Sequence, residues 1–239
     1  MILKDKQLNA RLQSLSKELL EEYLALTTRL QEISESEEGH QTFLKFVKYV
    51  WPDFIEGAHH RVYAEKLQAV ADGSLKRLII NLPPRHTKSE FASYLFPAWL
   101  VGRNPKLKII QTTHTGELAM TFGRKMRNLI ASNEFRKIFP ESGLSPDSKS
   151  AGRWTTPKGG EYFASGVGGA ITGRGADLLI IDDPHSEQDA LSEAAMENAY
   201  EWYTSGPRQR LQPGGSIVIV MTRWGERDLT AKVLKQQAF

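Results

Sequence analysis

The chain contains no cysteine among its 239 residues. Disulfides and thiolate metal sites are thereby excluded, and a reducing compartment fits. No apolar run reaches the roughly 18 residues that a membrane span needs. The first residues lack the hydrophobic stretch of a secretory signal, so neither export nor membrane insertion is expected. No internal repeat is visible. Net charge is only +3, but it is unevenly spread. Residues 103–137 carry eight Lys/Arg against Glu117 and Glu134, whereas residues 1–40 carry five Lys/Arg against eight Asp/Glu. A local basic region suits phosphate backbones or an acidic neighbouring subunit, with Arg124, Lys125 and Arg127 as candidate contacts. A solvated helix face is the alternative. Apolar content of 40% is enough for a core, and the length suits one α/β domain with room for an appended subdomain.

The densest local signal is Arg77-Leu-Ile-Ile-Asn-Leu-Pro-Pro-Arg-His-Thr-Lys-Ser89. A short apolar run, a proline-stiffened turn and a Lys-Ser pair spell strand, phosphate-binding turn and helix. Lys88 would reach the β/γ-phosphates, Ser89 would ligand Mg²⁺, and backbone N–H groups of the helix start would face anionic oxygens. Against the pattern G-x-x-x-x-G-K-[ST], Leu82 and Thr87 stand where glycine is expected. The alternative is a buried strand followed by a basic surface turn.

A second segment supports the nucleotide reading. Asp177-Leu-Leu-Ile-Ile-Asp-Asp-Pro184 has the apolar run of a strand buried in a parallel sheet. Its two carboxylates fall at the carboxyl end, where open α/β sheets place ligands. Asp182 would hold Mg²⁺ through water, and Asp183 would orient or deprotonate the attacking water. Alone, these acids favour a turn or a helix cap; paired with the Lys-Ser turn upstream, they favour the nucleotide reading. A third strand, Ser216–Met221, ends in Thr222-Arg-Trp224. Thr222 stands where ring-forming and helicase-like ATPases carry a polar residue that senses the γ-phosphate, and a plain core strand with a turn is the alternative.

The rest of the chain is organised around these strands. Leu8, Leu12, Leu15, Leu19, Tyr23, Leu26, Leu30 and Ile33 make one apolar stripe on a long helix. It is expected to pack on its own domain, with pairing to another chain or a partner as alternatives. Ser34–Gly39 reads as a linker, giving an N-terminal element 1–39 and a main domain 40–239. Residues 41–72 look helical, broken at Trp51-Pro52 and Gly57. Leu107–Thr112 reads as a strand and Thr113–Ile130 as a helix. Phe135–Leu144 reads as a connection, Gly159-Gly160 as part of a hairpin, and Pro213-Gly-Gly215 as a turn. Alternating strands and helices imply a mostly parallel, doubly wound sheet.

Three strings together, Leu82–Glu90, Gly173–Pro184 and Met221–Trp224, resemble the ATPase domain of the large terminase subunit, the genome-packaging motor of tailed bacteriophages. Phe139-Pro140, Leu144-Ser145 and Gly166–Ile171 are lesser matches, and the order is that of the family across about residues 40–232. The family usually has glycine before the lysine, where this chain has Thr87, and many relatives of this ATPase class use Glu where Asp183 stands. The resemblance implies an ASCE-type P-loop NTPase fold with an N-terminal helical extension, and Mg²⁺-dependent ATP hydrolysis driving double-stranded DNA into a viral procapsid. Pro83, Pro84, Arg85, His86, Thr87, Lys88, Ser89 and Glu90 would then line the nucleotide. Arg85 or Arg174 would supply the transition-state arginine, Arg174 in trans from its glycine-rich loop or tied to Asp177 or Asp183 instead. Also implied are a ring, pentameric by resemblance, contacts to portal and small subunit, and the cytoplasm of an infected bacterial host. The family's RNase H-like nuclease has no match here, so the chain reads as the ATPase domain alone. Phe54, His59, His60 and Arg61 fall where the family places adenine contacts. A helicase-like ATPase on another nucleic acid, and a P-loop module that binds without turnover, are the competing functions. A small-molecule kinase leaves the third strand and the basic region without a role.

Overall fold

The computed structural model describes residues 16–148 and 150–236. Among these, six strands form one sheet in the order β1-β6-β5-β2-β4-β3. The strands are β1 (Arg77–Asn81), β2 (Lys108–Thr113), β3 (Arg153–Thr155), β4 (Glu161–Gly166), β5 (Ala176–Asp182) and β6 (Leu211–Met221). Only β3 runs antiparallel, as a short hairpin with β4; every other pairing is parallel.

Burial explains the continuous apolar strands. Alternate residues of β5 and β6 point to opposite faces, and both faces are covered. Leu178, Ile180, Val218 and Val220 join a core with Phe43, Phe91 and Trp99. Leu179, Ile181, Ile217 and Ile219 join a second core with Tyr203 and Val233. The first layer contains helices α1 (Lys17–Gln41), α2 (Phe43–Val50), α3 (Ala58–Ala71), α4 (Phe96–Arg103), α5 (Gly116–Ala131) and α6 (Asn133–Ile138). The second contains α7 (Glu193–Ser205) and α8 (Leu229–Gln236). The result is an α/β fold with a mostly parallel sheet between two helical layers.

Three expectations need correction. Ser34–Gly39 is not a linker: α1 runs unbroken to Gln41, because Glu is a good helix former and Gly39 is buried against Ile138 and Phe46. The apolar stripe does not pack on the domain: Leu19, Leu26, Leu30 and Ile33 are 48–66% exposed. Leu8, Leu12 and Leu15 lie outside the described residues. Pro213-Gly-Gly215 is not a turn but part of β6, where a register shift opposite Ala176 and Leu178 takes up Gly214 at φ 80°. The span read as a connection, Phe135–Leu144, begins inside a helix, Asn133–Ile138, which the Ser132 hydroxyl caps by accepting the Phe135 N–H.

Between β1 and α4 the helix opens into a π-helical turn, Glu90–Leu95. Phe96 N–H reaches the Phe91 carbonyl five residues back. Pro97 has no N–H to donate to Ser93, so the regular ladder cannot run through this point.

Candidate active site

β1, β6 and β5 lie side by side, with Asn81 opposite Met221 and Val220 opposite Asp182. Their carboxyl ends therefore stand level, and three segments emerge together: 82–89, 222–224 and 182–183. This is where parallel sheets of this kind expose their polar groups. The Lys88 ammonium sits 2.6 Å from Asp183 Oδ2, and Lys88 is only 7% exposed. Ser89 Oγ donates to Asp182 Oδ1 at 3.0 Å. Asp183 Oδ1 accepts the backbone N–H of Thr222 at 2.8 Å, and the Thr222 hydroxyl lies 3.4 Å from the Leu82 carbonyl. Lys88, Ser89, Asp182, Asp183 and Thr222, separated widely in sequence, thus share one cluster.

Two residues of the cluster carry strong physical signatures. Burial, and then the charge of Asp183, push the Asp182 carboxyl up to about 7, against the hydrogen bonds from Ser93 and Ser89 and the Lys88 ammonium. Arg85, Thr87 and Asp183 have φ of 62°, 58° and 39°, and they are the positive-φ residues other than glycine among those described. Left-handed backbone in a β-branched residue is costly and concentrates at functional sites.

The donor set fits a hard cation. Ser89, Ser93 and Asp182 offer only oxygen, and among the described residues no group of three or more His, Asp or Glu forms a complete metal cage. Mg²⁺ characteristically takes one or two carboxylates and leaves its other positions to water and phosphate.

Other expected residues stand around the cluster. Pro83, Pro84, Arg85 and His86 are exposed on the outer side of the turn. Glu90 pairs with Lys125 at 2.5 Å, and that ammonium also lies 5.7 Å from the Tyr94 and Phe122 rings. Lys125 is thus a brace between α5 and the turn. Arg124 beside it is exposed and Arg127 is half-buried.

Arg174 is where the structure departs most from expectation. It pairs with Glu161 and stacks on Phe163, 3.9 Å from the ring centroid, rather than meeting Asp177 or Asp183. Both partners are on β4, and Glu161 is its first residue. Arg174 is therefore held toward the amino ends of the parallel strands, three to five residues short of their carboxyl ends, or roughly 10–17 Å at a strand rise of about 3.3 Å per residue. In this arrangement its guanidinium meets Glu161 and Phe163 and not the Lys88–Asp183 cluster. Glu161, a conceivable alternative base, is also paired by Arg153 and lies at that same remote end.

Sequence reasoning missed Ser93 and Tyr63. Ser93 is fully buried and donates to Asp182 Oδ2 at 2.7 Å. It is four residues after Ser89, and that spacing on a helix was the available signal. Tyr63 donates its hydroxyl to the Lys88 carbonyl at 2.8 Å, a contact that no local pattern announces.

No family model matches the chain, and no curated protein matches it. A solved structure of the large terminase of bacteriophage HK97 has a similar fold. Its TM-score is 0.50 at 15% identity, over 82% of this chain and 41% of that one. The chain therefore spans less than half the length of that protein. At this identity the likeness concerns the fold. No helix among the described residues is long and apolar enough to cross a membrane.

Proposed function

We propose that this chain is a P-loop ATPase whose Mg²⁺-dependent hydrolysis of ATP drives movement along double-stranded DNA, as the motor of a phage genome-packaging machine. The observation that carries the reading is the ion pair of Lys88 with Asp183, beside Ser89 and Asp182, at the level ends of three adjacent strands. The terminase-like fold supports the choice of motor.

In this reading residues 82–90 wrap the phosphates, with Lys88 as the mobile charge. Nucleotide would draw the ammonium from Asp183 to the β/γ-oxygens, leaving Oδ2 free to accept a proton. Water oxygen would then attack the γ-phosphorus, the bond to the ADP oxygen would break, and the water proton would pass to Asp183. Ser89 and Asp182 would hold Mg²⁺, which supplies charge neutralisation on the phosphates. Arg85, exposed on the turn and three residues before Lys88, is the remaining candidate for a transition-state arginine in cis. Thr222 would couple the loss of phosphate to movement. Double-stranded DNA, a ring of copies, portal and small subunit, and the host cytoplasm complete the proposal by resemblance.

The test is Mg²⁺-ATP turnover by this chain at two protein concentrations, with double-stranded DNA, single-stranded nucleic acid, or none. Turnover stimulated by double-stranded DNA is expected, and Lys88→Ala should abolish it. Preferential stimulation by single strands would instead select the helicase-like function. Tight nucleotide binding with no turnover in any arm would select a binding module.

A further inference from the structure

The residue before Lys88 is a threonine held at φ 58°, a backbone region that glycine enters freely and β-branched residues resist. Something must hold it there. Thr87 Oγ1 lies 2.6 Å from His60 Nε2 and 2.6 Å from the His86 carbonyl. His60 Nδ1 lies 2.8 Å from the backbone nitrogen of Gly57. A backbone N–H can only donate, so Nδ1 accepts and the proton of the neutral ring is on Nε2. The relay then has one polarity: Gly57 N–H to Nδ1, Nε2–H to Thr87 Oγ1, and the Thr87 hydroxyl to the His86 carbonyl.

The ring itself is fixed. His60 is 5% exposed, with Phe54 and Phe91 against it at centroid distances of 4.8 and 5.3 Å. Burial, with His59 and then His86 beside it, lowers its basicity, while Glu56 opposes this, so the neutral form that the relay requires is favoured. One turn further along α3, Tyr63 donates to the Lys88 carbonyl at 2.8 Å. Side chains at i and i+3 of a helix share a face. α3 therefore grips two consecutive residues of the turn, one by its side chain and one by its backbone.

From this geometry we infer that His60 is a positioning residue: with Tyr63 it clamps Thr87 in the left-handed corner of the turn and so presets Lys88 for phosphate. The clamp does the work that glycine at 87 would do by conformational freedom. The inference rests on the phosphate reading of residues 82–89, yet its core can be read without nucleotide.

Amide hydrogen exchange of residues 85–90 in the nucleotide-free chain is the first measurement. His60→Ala and Thr87→Val, which each break the relay, should speed exchange there. Thr87→Ser, which keeps the hydroxyl, should not. The second measurement is steady-state Mg²⁺-ATP hydrolysis. Loss of the clamp should raise KM by roughly tenfold or more, the scale of releasing one strained residue, with kcat little changed, because the turn holds phosphate alike before and during reaction. The deciding arm is Thr87→Gly: with glycine in place, adding His60→Ala should have little further effect on KM. If His60→Ala is as harmful with glycine as with threonine, or exchange at 85–90 is unmoved by both relay-breaking variants, the clamp is refuted. If Lys88→Ala turns over ATP like the parent while the exchange results hold, the phosphate reading fails and the clamp stands.

Discussion

The Lys88–Asp183 pair allows stability and catalysis to be separated in one experiment. Lys88→Met keeps the aliphatic stem and deletes the charge. It leaves Asp183 without its cation and next to buried Asp182. Removing one partner of a fully buried pair costs about 3–5 kcal/mol. The Lys88 side chain is 9% exposed but that of Asp183 is 29% exposed, so solvent screens the orphaned carboxylate and about 1.5–3 kcal/mol is expected. Asp183→Asn in the same chain removes the orphan while its carbonyl oxygen can still accept the Thr222 N–H. Lys88→Met/Asp183→Asn should therefore be more stable than Lys88→Met, by half of that loss or more. Urea unfolding of the four chains gives the cycle. Turnover should behave differently: both chains lacking Lys88 should fall at least about 10²-fold, the scale of losing one preorganised charge stabiliser. Parent-like hydrolysis by Lys88→Met would refute the phosphate role. A double variant no more stable than Lys88→Met would refute the electrostatic account of the pair.

Further outcomes follow from the same geometry. Asp183→Asn alone should retain nucleotide, measured by equilibrium binding, and lose about 10²–10⁴-fold in kcat, since an amide cannot take the proton. Arg174→Ala should leave single-chain turnover unchanged and lower the urea midpoint slightly, because Arg174 braces Glu161 and Phe163 at the far end of the sheet. Burial pushes the Asp228 carboxyl up, but the N–H groups of Ala231, Trp224 and Gly225 and the Arg223 side chain outweigh it and hold the group below its ordinary value. Its stabilisation should thus be complete above the ordinary carboxylate range and fade as pH falls through the folded-state value, and Asp228→Asn should flatten that acid limb in a pH series of unfolding curves. Neutralising Arg124, Lys125 and Arg127 together should weaken DNA binding and make its salt dependence shallower. Unchanged binding with lost self-association would place them at a subunit contact.

The strands were legible because burial on both faces writes itself as uninterrupted apolar sequence, as in Leu178–Ile181 and Ile217–Val220. The polar residues at their ends were legible for a related reason: a charged pair directly after such a run has few places to go except the sheet's carboxyl edge. What escaped was tertiary. Ser93 reaches Asp182 across 89 positions, and His60 reaches Thr87 across 27. The four-residue spacing of Ser93 from Ser89 hints at a shared face, but no local period names Asp182 or Thr87 as the partner. His60 invited confusion by standing beside His59, whereas its partner is Thr87, one of the two turn residues that stand where glycine is expected. The polar stretch 34–39 misled because composition signals solvent exposure, which a helix and a linker share. The partners of Arg174 were not legible either: the aromatic face of Phe163 and the carboxylate of Glu161 hold it, in place of the neighbouring Asp177 or Asp183.

Asp183 works as a joint with two arms. One oxygen is tied to the Lys88 ammonium and the other to the Thr222 backbone N–H. Whatever withdraws Lys88 therefore changes the load on the segment that follows β6, without passing through the threonine hydroxyl. The hydroxyl of Thr222 offers only a long contact to Leu82, at 3.4 Å. A side-chain replacement at 222 consequently cuts the weaker link and spares the stronger. Thr222→Val should blunt communication between phosphate and polymer, whereas proline at that position, which lacks the N–H, should sever it.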